Sequence, residues 1–265
     1  MDKRSKELRK LVLSAFKSDR RGHIGPTFSL IEILRVLFDS FLKFNPEKPI
    51  WKDRDRLILS KGHGCLALYA ILADYGFFDK SELEKFCKYD SILGGHPEYG
   101  KVPGIEASTG ALGHGLAIGV GIALAARINK KAYRTVVITG DGELNEGSVW
   151  ESAMSASMHK LSNLIVVVDK NNLQSYGLTR DVIDMGSLKS KWEAFGFEVF
   201  EIDGHDIQAL EKILSNLPHT GSKPITIICN TIKGKGFDFA EGNANWHHKS
   251  YMDDELLNKM SKLLE

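Results

Sequence analysis

Two β-branched runs set the frame of this chain. Thr135-Val136-Val137-Ile138-Thr139 leads into Gly140-Asp141-Gly142, and Leu164-Ile165-Val166-Val167-Val168 leads into Asp169-Lys170-Asn171-Asn172, with 28 residues between Gly142 and Asn171. Near-continuous apolar runs of this length read as strands buried on both faces, the kind found in parallel sheets. Parallel neighbours need a crossover, and segment 148–161 has the length and apolar spacing of a helix. Residues 198–202, 207–217 and 224–230 repeat the order strand, helix, strand, and 57–60 reads as a further short strand. The alternation predicts one doubly wound α/β domain over residues 1–265, its mostly parallel sheet flanked by helices on both faces.

The remaining segments fit around that sheet. Residues 8–16 and 30–44 carry helical spacing, the second stopping at Asn45-Pro46, and a helix follows Gly62-His63-Gly64 through Leu66, Tyr69 and Leu72. Residues 89–109, rich in Gly, Pro and polar side chains, form a long loop. Segment 113–126 reads as a helix apolar almost all round, buried either in the core or against another subunit. Residues 253–264 close the chain as an amphipathic helix. Lys plus Arg number 35 and Asp plus Glu 34, a net charge of +1, so no electrostatic footprint for nucleic acid or an anionic membrane is present. Three cysteines, Cys65, Cys87 and Cys229, lack metal-ligand spacing and do not form a disulfide framework. The N-terminus has no secretory pattern and no segment has the length of a membrane span, so a reducing cytoplasm is the expected location.

The strand ends hold the chemistry. Ligands of open α/β sheets bind there. A hard cation such as Mg²⁺ takes a carboxylate and a few carbonyl oxygens, leaving its other positions to water and phosphate. Glycines beside Asp141 let backbone approach a diphosphate, and Gly147-Ser148 opens a helix whose N-terminus favours an anion. Gly-Asp-Gly alone is equally an ordinary turn. The matching Asp-Lys-Asn-Asn at the next strand end turns the pair into a metal–diphosphate site. Of the nine histidines, His23, His63 and His96 lie beside glycines, whereas His159, His205 and His219 have no motif and read as ordinary hydrogen-bonded side chains. Lys233-Gly234-Lys235-Gly236 is either a phosphate cradle or a solvated basic turn. Trp150, Met154 and Met158 lie at helical spacing and belong to the core or an interface.

The Gly-Asp-Gly…Asn-Asn pattern resembles that of thiamine-diphosphate enzymes, and the chain as a whole resembles the N-terminal, diphosphate-binding half of transketolases. Arg21-Gly22-His23-Ile24-Gly25, Leu59-Ser60-Lys61-Gly62-His63-Gly64 and Gly95-His96-Pro97-Glu98 resemble the family's histidine motifs in order. Residues 103–115 resemble the loop carrying its Gly-x-Leu, and Thr231-Ile232-Lys233-Gly234-Lys235-Gly236 with Trp246-His247-His248 its later motifs. Two departures stand out: Ile24 replaces a common proline and His114 a common glutamine. The resemblance implies that Asp141 and Asn171 bind Mg²⁺ (or Ca²⁺ or Mn²⁺) through side chains and Leu173 through its carbonyl. It places Gly140 and Gly142 against the diphosphate, gives His63 and His247 hydrogen bonds to it, and brings Gly110 and Leu112 to the cofactor through backbone. Glu146 matches a glutamate at the subunit interface linked to cofactor activation. His23, His96 and His247 are the catalytic candidates, with His248 an alternative to His247.

The family's pyrimidine-binding and C-terminal domains are expected on a separate partner chain, in an α2β2 assembly acting on sugar phosphates. The implied activity is transfer of a two-carbon ketol unit from a ketose phosphate to an aldose phosphate. Related readings are a half of a 1-deoxyxylulose-5-phosphate synthase-like enzyme, a transketolase for an unusual sugar, or a non-catalytic scaffold subunit. A dinucleotide-binding dehydrogenase lacks its Gly-x-Gly-x-x-Gly turn.

Overall fold

In the computed structural model, residues 1–217 and 221–265 are described; His219 lies outside them. Five strands, β1 (Arg56–Leu59), β2 (Thr135–Gly140), β3 (Leu164–Lys170), β4 (Glu198–Asp203) and β5 (Ile225–Asn230), form one sheet in the order β1-β2-β3-β5-β4. Every pairing is parallel, with Val137 opposite Val166 and Val167 opposite Ile227. The helices, in chain order, are α1 (Lys3–Asp19), α2 (Ile24–Phe28), α3 (Ile31–Val36), α4 (Cys65–Asp74), α5 (His114–Ile128), α6 (Gly147–Met158), α7 (Thr179–Val182), α8 (Leu188–Ala194), α9 (Ile207–Ser215) and α10 (Asp254–Leu263).

Alternation along each strand sends neighbouring side chains into two cores. Val136, Ile138, Ile165, Val167, Ile225 and Ile227 face the layer of α1, α3, α4, α9 and α10. Ile58, Val137, Leu164, Val166 and Val168 face α5, α6 and α8. Both faces are covered, as a parallel sheet requires. The crossover α6 lies on one face and α9 on the other, and because every pairing is parallel the loops leaving the strands gather at one edge of the sheet.

Three expectations change. The helix read over 30–44 is α3 followed by one π-turn, Leu37–Phe41, and it ends at Leu42. Asp55 explains the stop: its carboxylate accepts from the Lys43 amide at 2.9 Å and its own amide donates to the Lys43 carbonyl at 2.8 Å, pulling the backbone out of the helix. Segment 113–126 is not buried all round. Leu116, Gly119, Val120 and Ala123 face the sheet while Ala117, Ile118, Gly121 and Ala125 are exposed. Helices α7 and α8 were not expected; α8 shows only two buried positions, Leu188 and Trp192, too few for a periodic pattern.

Candidate functional site

A cavity of about 280 Å³ lies at the C-terminal ends of β1, β2, β3 and β5. From the sequence-derived set it is lined by His23, His63, His96, Gly110, Leu112, Gly140, Asp141, Gly142, Asn171, Leu173 and His247. Glu146 does not line it: the residue is exposed, immediately before α6. A second cavity of about 260 Å³ adjoins the first and shares His23, His63 and His96 with it, adding His248, Arg21 and Cys87. His247 therefore faces the strand-end loops, and His248 the neighbouring space.

The β2 and β3 loops are held together by backbone donors. Asp141 accepts from the Gly142 amide at 2.9 Å and from the Asn172 amide at 2.6 Å. Asn172 takes φ +60°, a left-handed conformation that asparagine tolerates, and the reversal brings Leu173 back so that its amide donates to Asn171 Oδ1 at 3.2 Å. The Leu173 carbonyl accepts from Lys233 Nζ at 2.8 Å. Burial, and then the nearby Asp169 charge, push the Asp141 carboxyl up to about 6.

Charged side chains outside the sequence-derived site set build the frame. Asp169, at the end of β3, is fully buried and accepts from Lys61, Ser29, Thr231 and Asn171. Burial raises its pKa, but Lys61 and the hydroxyls outweigh burial and hold it below the usual carboxylate range. Glu143, also buried, accepts from the Ser60 hydroxyl, the Gly113 amide at 2.8 Å and the Gly140 amide at 3.1 Å, so one carboxylate joins three loops. Lys233 is 2% exposed, which removes the solvated-turn reading for that residue. The available signal was position: Asp169 lies at the end of β3, and Lys61, Glu143 and Lys233 follow β1, β2 and β5 within three residues.

Five imidazoles pack at the mouth, His248 lying 4.7 Å from His23. The His23 ring lies 5.2 Å from His63, 5.4 Å from His247 and 6.3 Å from His96, centre to centre. Burial, and then His248 and His96, lower His23 to about 4; burial, and then Lys233, lower His247 to about 3. Burial also lowers His96, and burial with Lys61 takes His63 well below its ordinary value. The shifts of His23, His63, His96 and His247 all favour the neutral ring, which can donate one hydrogen bond and accept another. His205 lies outside this cluster, bonding Glu32 at 2.9 Å and accepting from the Ile232 amide at 2.8 Å, an ordinary satisfied histidine.

The lining fits a phosphorylated ligand and a hard cation. Among the described residues, His247 Nδ1 and Gln174 Nε2 are buried without a partner, and both residues line the cavity. A Cβ on Gly142 would stand 2.7 Å from Gln174 Cγ and one on Gly110 2.9 Å from His96 Cδ2, so side chains would fill the floor. Asp141, Asn171 and the Leu173 carbonyl offer oxygen only, the preference of Mg²⁺ or Ca²⁺. No group of three His, Cys, Asp or Glu side chains among the described residues is set to hold a softer metal.

Residues 2–263 match the family described as transketolase, thiamine diphosphate binding domain. The chain belongs to that transketolase family. It is 44% identical over 257 residues to an apulose-4-phosphate transketolase subunit of Actinobacillus succinogenes, covering 97% of this chain and 93% of the relative. The subunit of the same name from Phocaeicola vulgatus is 40% identical over 248 residues, covering 94% and 88%. Transketolase from Campylobacter jejuni superposes with a TM-score of 0.91 at 33% identity, over 99% of this chain and 42% of that one. The transketolase resemblance and the α/β fold read from the sequence are thus borne out, and thiamine diphosphate is the family's cofactor. No helix among the described residues is long and apolar enough to cross a membrane.

Proposed function

We propose that this chain is the N-terminal, diphosphate-binding subunit of a split transketolase, working with a separate pyrimidine-binding subunit in an α2β2 assembly. One observation carries the reading: Asp141, Asn171 and Leu173 oxygens, glycine backbone and four histidines line a single cavity at the ends of four strands. The two apulose-4-phosphate relatives are themselves named as transketolase subunits, and this chain matches them along most of their length, which supports the division of labour.

Asp141 and Asn171 side chains with the Leu173 carbonyl hold Mg²⁺, or Ca²⁺ or Mn²⁺ in its place. His63 and His247, kept neutral, donate ring N–H groups to the diphosphate, while Gly110, Leu112, Gly140 and Gly142 present backbone with no side chain intervening. Thiamine diphosphate, once bound, supplies the carbon–carbon bond chemistry beside a ketone. His23 and His96 stand where the two cavities meet. A neutral His23 can accept a proton from a substrate hydroxyl and return it, and His96 can orient a second hydroxyl. The substrates are a ketose phosphate donor, of the kind the apulose-4-phosphate relatives are named for, and an aldose phosphate acceptor. Glu146, exposed before α6, contacts the partner chain and acts on the cofactor from the interface. The site of action is the cytoplasm.

The test is reconstitution. The chain alone should show no transfer, and mixing it with its partner subunit should give two-carbon transfer from ketose phosphates but not from pyruvate. Asp141→Ala in the mixture should abolish calorimetric uptake of thiamine diphosphate with Mg²⁺. Full activity of the chain alone, or uptake undiminished by the substitution, would overturn the proposal.

A further inference from the structure

One wall of the second cavity is a short backbone clip. Gly22 and Lys249 exchange amide-to-carbonyl hydrogen bonds, each of 3.0 Å, as an isolated antiparallel bridge. In such a pair the residues on either side of the bridge face each other and share one surface. Arg21 therefore stands opposite Ser250, and His23 opposite His248, with the two rings 4.7 Å apart. All four line the cavity, over a floor of buried Cys65, Leu66 and Phe86. A Cβ on Gly22 would stand 2.8 Å from Phe16 Cε1, so the core closes the other side of the clip there. Arg21 is aimed by an anchor: its Nε donates to Asp19 at 2.7 Å, and Asp19 is largely buried beside the Cys87 thiol. Among the described residues, nothing accepts a hydrogen bond from the two terminal nitrogens of Arg21.

We infer that Arg21, with Ser250 across from it, is a subsite for the terminal phosphate of the sugar substrate. The inference rests on the proposed ketol transfer, and it gives this chain a part in choosing the substrate as well as in holding the cofactor. His23 stands where the two cavities meet, and Arg21 lies two residues along the same clip, about 7 Å away at the rise of extended backbone. A short carbon chain whose reacting carbon sits beside His23 spans that distance, and its C–H edges rest on the apolar floor. Its end then meets the guanidinium. The free edge of that group presents two parallel N–H donors, the fork that matches a phosphate. Asp19 takes Nε, so it fixes the fork without occupying it. The shifts of His23, His63 and His96 favour neutral rings on the same wall, which leaves Arg21 as the cation an anion meets there.

The test uses the assembled enzyme, saturated with thiamine diphosphate and Mg²⁺, and two probes: the ketose phosphate that the wild type turns over best, and inorganic phosphate. The chain carries Arg21→Gln, Arg21→Lys or the control Lys249→Gln, a charge on the same clip whose Nζ lies 4.4 Å over the Trp246 ring and outside both cavities. Arg21→Gln should raise KM for the ketose phosphate about 10- to 100-fold, the range of a lost charge-assisted hydrogen bond, and leave kcat nearly unchanged. Calorimetric affinity for inorganic phosphate should fall by a similar factor. Arg21→Lys should recover part of both losses, because it keeps the charge without the fork. Lys249→Gln should match the wild type, and affinity for thiamine diphosphate should be unaltered in every variant. Unchanged KM and phosphate affinity in Arg21→Gln would overturn the inference. So would a loss confined to kcat, which would make Arg21 a support for His23, or a matching loss of cofactor affinity, which would make it a loop anchor. A wild-type assembly that takes up the cofactor but transfers no ketol unit would instead sink the function proposed above, and the phosphate titration then decides the subsite alone.

Discussion

Charged residues inside this molecule serve geometry, and Glu32 shows how. The Arg9 guanidinium meets its carboxylate at 2.6 and 3.1 Å and His205 meets it at 2.9 Å, joining α1, α3 and the loop after β4. Burial alone would raise the Glu32 pKa, but His205 and Arg9 outweigh burial and hold it at about 2 against an ordinary 4.5. A carboxyl depressed on folding stabilises the native state above its unfolded value and loses that contribution as pH falls toward its folded value. Stability should therefore decline between pH 4.5 and about 2. Glu32→Gln should cost ~3 kcal/mol at neutral pH, because it strands Arg9 in the core, and should flatten the acid limb. Urea denaturation at several pH values reads both effects, and an unchanged acid limb would show that other carboxyls set it. None of this was visible in the sequence, where Glu32 and Arg9 look like surface residues; buried charges declare themselves only when their partners are known.

Elements were legible where periodicity and punctuation agreed. β2, β3 and β5 are β-branched runs, β1 and β4 shorter or alternating apolar ones, and all five expected runs are strands of the parallel sheet. Helix ends controlled by a distant residue were not legible, and the capture of Lys43 by Asp55 is the example. The strand-end motifs showed which loops matter, but left Lys233 open between a phosphate cradle and a solvated turn, while Lys61 and Glu143 drew no role because a lysine or glutamate beside a turn reads as solvated. At this scale α5 is the sensitive element. It approaches the sheet so closely that a Cβ on Gly119 would lie 2.3 Å from Val137 Cγ2, and one on Gly115 2.3 Å from Ser60 Oγ. Gly119→Val should push the helix off β2 and destabilise the fold by about 1–3 kcal/mol, the range of an overpacked core. Because α5 begins just after Gly113, a partner of Glu143, the shift should also weaken cofactor binding. Gly121→Ala, on the open face with nothing within 4 Å, should not destabilise and is the matched control in thermal denaturation.

For the whole molecule, the outer faces of α5 and α6 are the unfinished part. Ile118, Ile128, Met154 and Met158 are exposed there, and the two helices pack on each other. Scattered apolar side chains need no explanation, but several on one pair of helices do. The position tells what should cover them: Leu112, on the cavity wall, lies two residues before α5, and Glu146 directly precedes α6. A chain covering this face reaches the rim of the site, as a pyrimidine-binding partner must. Of the two placements read for this helix, the core accounts for one face, and the prediction assigns the other to a second subunit. Ile118→Asp should leave the circular dichroism of the isolated chain unchanged and alter its melting little, since the side chain is already partly in water. In the reconstituted mixture it should lower the assembly mass measured by light scattering and reduce ketol transfer at least 10-fold, because one desolvated charge at a contact centre costs several kcal/mol. Retained mass with retained transfer would place the partner on another face.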